Sequence, residues 1–239
     1  MPTKMRAAAR EQDIPVAVAN GRQSTGRPVV VGVADHNGWA VLVSAAAVNG
    51  QPTVIDRRRV KLIENGVPSQ PYHHETLALS DTEAEQLLQK VRRSIAACTA
   101  LAFDRLSADL EPRYRVSAIT IRHPPLERLP ATVGEVHASY HALCRADGML
   151  YHSAISAAAR RRGWKLACHH RGEELERAAA ALQVSTQQVE RFLNDLRRTL
   201  KPPWAAEHRD AFAAAIGRLG QRSGLDRLRA DSAANREAR

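Results

Sequence analysis

Aromatic side chains are scarce in this chain: three Trp, four Tyr and three Phe, 4% of 239 residues. So few rings give little support to a protein that grips single strands by stacking bases. Cysteine is scarce too. Cys98, Cys144 and Cys168 lie far apart and are odd in number, which favours reduced thiols in a cytosol over a disulfide framework. No run approaches the ~18 apolar residues of a membrane span. The basic start, Met1 to Arg10, is not followed by an apolar secretory segment, so a cytoplasmic protein without a membrane partner is expected. The phosphate loop G-x-x-x-x-G-K-[ST], the dinucleotide fingerprint G-x-G-x-x-G and the nucleophile elbow G-x-S-x-G are all missing. Their absence argues against P-loop hydrolysis, dinucleotide redox chemistry and the usual serine-hydrolase site.

What the chain has in excess is positive charge: 35 Lys and Arg against 25 Asp and Glu, a formal +10. The excess is uneven. Residues 1–28 carry five cationic side chains against two acids, and residues 218–239 carry six arginines against three acids. The body between them holds only +4 of the total. Both ends lack bulky apolar periodicity and read as flexible basic tails, 1–28 and 220–239, around one domain at 29–219. Such tails suit a polyanionic partner and equally suit plain solubility.

The body opens with Val29-Val30-Val31-Gly32-Val33-Ala34, too apolar for an exposed strand and expected to be buried on both faces. Asp35-His36-Asn37-Gly38 supplies a turn, Trp39 to Val43 starts a second strand, and Asn49-Gly50 signals another hairpin. A third strand is expected over 53–63, interrupted by Arg57-Arg58-Arg59. A capping box at Ser80 and Glu83 precedes a long helix whose stripe includes Leu87, Val91, Ile95, Cys98 and Leu106. Residues 115–121 form a strand stopped by Pro124-Pro125. Helices follow at 131–146 and 149–162, then a short strand at 164–168. Three further helices are expected at 172–182, 185–200 and 204–219. A meander followed by alternating helices and strands predicts one α/β mixed sheet with helices on both faces.

This order resembles that of the ribonuclease H-like superfamily, and its local features resemble RuvC-type nucleases, including Holliday junction resolvases. Gly32-Val33-Ala34-Asp35-His36-Asn37-Gly38-Trp39-Ala40-Val41 is similar to that family's first hairpin, and Glu207-His208-Arg209-Asp210 followed by alanines is similar to its acidic helix. The resemblance implies catalytic roles for Asp35, Glu207 and Asp210, a pair of Mg²⁺ or Mn²⁺ ions held by them, and cleavage of phosphodiesters in structured nucleic acid, DNA before RNA. It also leaves room for a homodimer. One departure is plain: the family places a glutamate on the strand after the long helix, and here that strand reads Ala118-Ile119-Thr120-Ile121-Arg122. Glu75, Glu127 and Glu135 are the acids available to replace it, with Glu75 added to the expected metal set. On a helical wheel, Phe212, Ile216 and Leu219 fall opposite Glu207 and Asp210, so packing of the bulky face on the sheet would leave both acids in solvent. These two features support the alternative of a catalytically inactive fold that acts as an interaction or scaffold protein.

Other clusters compete. Tyr72-His73-His74-Glu75 could ligate a metal or supply a general base, although adjacent loop residues usually point apart. Cys168-His169-His170 lacks the spaced partners of a zinc site. His137 and His141 lie one helical turn apart, and His152 follows. Arg57, Arg58, Arg59, Arg160, Arg161 and Arg162, with Arg92-Arg93 and Arg197-Arg198, are the candidate phosphate contacts.

Overall fold

A computed structural model describes residues 26–124 and 127–220; the two expected tails lie almost wholly outside them. The valine-rich segment forms β1 (Arg27–His36), with Val29 to Val31 fully buried. Alternate residues enter two separate cores, so β-branched side chains are buried on both faces. Gly38, at φ +95°, turns the chain into β2 (Trp39–Val48). Asn49 and Gly50 both take positive φ, as a two-residue hairpin with right-handed strand twist requires. They lead into β3 (Gln51–Lys61), which is continuous: the three arginines lie within the strand and do not interrupt it. As the outer strand of the meander, β3 can carry them with less burial than β1 could.

Ser80 and Glu83 close the expected capping box on α1 (Asp81–Leu110). β4 (Tyr114–Arg122) then runs parallel to β1, and β5 (Lys165–His169) parallel to β4. The sheet order is β3-β2-β1-β4-β5, an antiparallel meander extended by two parallel strands. Between β4 and β5 the expected division of the helices is corrected. α2 is short (Val133–His137), and α3 (Tyr140–Arg161) runs unbroken through Asp147 and Gly148. The break falls at Ser139, whose hydroxyl accepts from the Ala142 N–H and caps α3. α4 (Glu174–Leu182), α5 (Thr186–Thr199) and α6 (206–220) complete the domain. Among the described residues no helix is long and apolar enough to cross a membrane.

α1 and α3 cover one face of the sheet, and α4, α5 and α6 the other. α6 is buried almost all round, from Ala211 to Ile216. The helical-wheel expectation fails here for a steric reason. The small face of α6 meets the sheet, while Phe212 turns to Trp204 and Phe192, with ring centroids 6.0 and 6.3 Å away. Contact is so close that a Cβ on Gly32 would lie 1.7 Å from the Ala211 carbonyl oxygen. Only glycine fits where two backbones meet in this way. Gly32→Ala should therefore lower unfolding free energy by roughly 3 kcal/mol or prevent folding, as overpacking against backbone cannot relax through a side chain. Urea unfolding checks this; an unchanged midpoint would show that α6 is not seated on β1 as described.

Candidate functional site

Seating Ala211 on Gly32 brings the start of α6 to the end of the sheet where β1 and β4 finish. Asp210 and Glu207 become half-buried there instead of solvated. Arg122, the last residue of β4, reaches toward both Asp210 and Glu174. Its Nη2 lies 3.4 Å from Asp210 Oδ2, and its Nε 3.5 Å from Glu174 Oε1. Glu174, at the start of α4, is 8% exposed in its side chain and also faces His169 Nε2 at 3.3 Å and accepts from the Gly172 N–H at 2.8 Å. Thr120 Oγ1 sits 3.3 Å from His169 Nδ1, closing a chain that runs Thr120, His169, Glu174, Arg122, Asp210. A buried carboxylate needs such a partner, because leaving it unpaired costs several kcal/mol.

Asp35 sits at the same end of the sheet but faces the other way. It pairs across the hairpin with Ala40, which lies in the core beneath α1 and α3. Arg122 pairs with His169 on the side of α4 and α6. The period-two alternation of strands thus sends Asp35 and the Arg122 group to opposite faces. The charge of Asp35 acts on His152 of α3, and together with Glu207 on His36.

Burial lowers the pKa values of His36, His152 and His169 below the ordinary imidazole value, and the nearby carboxylates only partly oppose it. Burial thus favours the neutral form of all three rings. Burial pushes Asp210 up, as do the charges of Glu174 and Glu207, while Arg122 pulls it down.

The resemblance implies a pair of divalent ions held at this end of the sheet. Two close dications need several carboxylates with free oxygens converging on one point. Here Arg122 already stands between Asp210 and Glu174, and Asp35 leaves from the other face. Among the described residues no group of three or more His, Cys, Asp or Glu side chains is placed to hold a metal ion. The donor set does not fit a two-metal centre in this arrangement. Of the substitute acids, Glu127 pairs with Arg145 and Glu135 closes the capping box of α2. Glu75 is exposed at the start of a 3₁₀ turn, Glu75–Ala78.

The expected arginines part company. Arg58 is bound by Asp56 and by Asp109 of α1, both at 2.8 Å. Arg57 donates to the Lys201 carbonyl oxygen. Arg59 lies over the Trp39 ring, its guanidinium carbon 3.9 Å from the ring centroid, and Trp39 in turn stacks on His36 at 4.0 Å and 9°. Arg59 and Trp39 border an open cavity of about 600 Å³ that is also lined by Lys61, Glu64, Asn65 and Ser69. Arg162 is held by Asp104 and by the carbonyls of Ala100 and Ala158, whereas Arg160 and Arg161 are exposed. Glu174 and Trp39 were not among the site residues expected from the sequence. The only local signal for the stack was His36 three residues before Trp39 across a tight turn.

The sheet order and the helices on both faces are those of the mixed α/β sheet expected from the sequence. No protein-family model matches the chain, and no curated protein sequence does. Among solved structures, the chain is similar to Thermus thermophilus RuvC, with a TM-score of 0.45 and 15% identity over 82% of this chain and 96% of that one. It is also similar to T. thermophilus RuvC in complex with Holliday junction substrate, with a TM-score of 0.47 and 14% identity over 83% and 97%.

Arg122→Met tests the ionic chain. It strips Glu174 and Asp210 of their shared cation and should cost about 2 kcal/mol, most of it from the buried Glu174. It also removes the charge that holds Asp210 down. An acid whose folded pKa rises loses stability as pH climbs through its unfolded value, so the deficit should be larger at pH 7 than at pH 4. Thermal unfolding at both pH values measures it; an equal or opposite difference would contradict the pairing.

Proposed function

We propose that this chain binds structured nucleic acid, DNA in preference to RNA, across the end of the sheet, and that it holds this substrate without cutting it by a two-metal route. The observation that carries the binding half is the Arg59–Trp39–His36 stack beside the open cavity. A guanidinium fixed on a ring face keeps its donors pre-arranged for a phosphate and loses little side-chain entropy on binding. Lys61 lies on the same rim, and the exposed Arg160 and Arg161 add charge on α3. The body is only mildly basic, so binding should depend on a few placed cations plus the charge of the ends.

The non-cutting half is supported by Arg122. A guanidinium paired to Asp210 and Glu174 neutralises the acids that would otherwise attract a divalent ion. The competing reading, a nuclease using Asp35, Glu207 and Asp210 with Mg²⁺ or Mn²⁺, has one observation in its favour: the charges of Asp35 and Glu207 both act on His36.

Fluorescence anisotropy with a labelled four-way DNA junction, a duplex and a matching RNA, at several salt concentrations, tests the proposal. The junction should bind with a steep salt dependence. Arg59→Ala should weaken it roughly tenfold and reduce the salt slope by about one. Arg58→Ala, at a residue already occupied by two carboxylates, should change affinity far less. Binding that ignores salt, or equal losses from the two variants, would overturn the assignment. Cleavage of the junction in Mg²⁺ or Mn²⁺ that Asp210→Asn abolishes would favour the nuclease reading instead.

A further inference from the structure

The loop before the 3₁₀ turn and the first turns of α3 build a second arrangement, unrelated to the sheet-end site. Asp147 is fully buried. Its Oδ1 accepts from the Tyr72 N–H at 3.1 Å, and its Oδ2 lies 2.7 Å from His73 Nδ1. An ionised carboxylate there accepts the Nδ1 hydrogen, so in the neutral ring it is Nε2 that carries the lone pair. Nε2 is 3.4 Å from Cys144 Sγ. Cys144 and Asp147 are three residues apart on α3 and therefore share a face, with the imidazole bridging them. The Tyr140 ring meets His73 edge-on at 5.5 Å and 88°, which limits its rotation.

Burial raises the pKa of Asp147, against the pull of its bonds to His73 and Tyr72, and so makes it a stronger acceptor for the Nδ1 hydrogen. Cys144 is exposed, whereas Cys98 and Cys168 are half-buried and burial raises their thiol pKa values. The same three side chains do not chelate, because the two ring nitrogens of His73 face different partners. A carboxylate that merely anchors the loop would need only Tyr72 and His73. It would not need an accessible thiol at the remaining nitrogen.

We propose that Cys144, His73 and Asp147 form a thiol–imidazole–carboxylate triad, and that Cys144 is a nucleophile toward the acyl group of an ester or thioester. His73 Nε2 takes the Sγ proton, and the thiolate forms an S–C bond to the carbonyl carbon. The bond to the leaving oxygen or sulfur breaks with its electron pair, and the imidazolium returns the proton to that group. Water, giving a proton to the same Nε2, then adds to the thioester. The C–S bond breaks and the proton returns to Sγ, with no change in oxidation state. Cys144 and His73 are the catalytic residues; Asp147 is a positioning residue that orients the ring and stabilises the imidazolium. Acyl transfer is favoured over simple thiol oxidation because a base held by a third group serves a proton that must be taken and given back.

The test uses the full chain with p-nitrophenyl acetate and, separately, iodoacetamide over a range of pH. Peptide mass spectrometry should place the acetyl group on Cys144 and not on Cys98 or Cys168. Alkylation of Cys144 at pH 6 should be about tenfold faster than in His73→Ala, and added imidazole should partly restore ester labelling of that variant. Asp147→Asn should slow labelling and shift its pH profile; should this variant fail to fold, the imidazole rescue of His73→Ala decides. Alkylation that ignores His73, or Cys144 left unlabelled by the ester, overturns the proposal.

Discussion

The Ala211 carbonyl resting on the backbone of Gly32 governs the whole far side of the sheet. At that distance α6 has one depth and one position along β1. Its flanking alanines must stay small, and its large side chains must look outward to Phe192 and Trp204. Fixing Ala211 also fixes Asp210 beside it and Glu207 one turn earlier. The acids at the sheet end are therefore placed by a steric constraint in the centre of the core, not by any attraction among themselves.

Placing acids this way carries an electrostatic cost, and Arg122 offsets it. Burial and mutual repulsion raise the pKa of Asp210, and the guanidinium at the end of β4 is the charge that draws it back. Glu174, more deeply buried, leans on the same group and on His169. A cation built into the chain thus performs part of what a bound ion would do. Unlike a bound ion, it cannot activate water or exchange ligands, because its charge is spread over a planar group of donors.

Much of the fold was legible because its signals are local. Ser80 with Glu83, the Asn49-Gly50 turn and the valine run of β1 each need only neighbouring residues to be read. The break in the second helical region was misplaced because Asp147-Gly148 looks like a helix end. Tertiary contacts from Asp147 to Tyr72 and His73 hold the helix straight through it. The absent strand acid was visible in sequence, but the partner that gives Arg122 its meaning, Glu174, lies 52 residues further on. Likewise, no periodicity could link Cys144 to His73, 71 residues earlier. Side chains that meet across the fold leave no mark in local spacing.

On the proposed reading, Arg122 is the fixed cation of this acidic end and closes it to divalent ions. Titration of the full chain with Mn²⁺, followed by the loss of the free-ion electron paramagnetic resonance signal, tests this most directly. The account predicts that Mn²⁺ at micromolar concentration stays free in the wild type and that Asp210→Asn makes no difference. Uptake of one or two ions per chain, lost in Asp35→Asn and in Asp210→Asn, would contradict it and return the sheet end to metal-dependent chemistry.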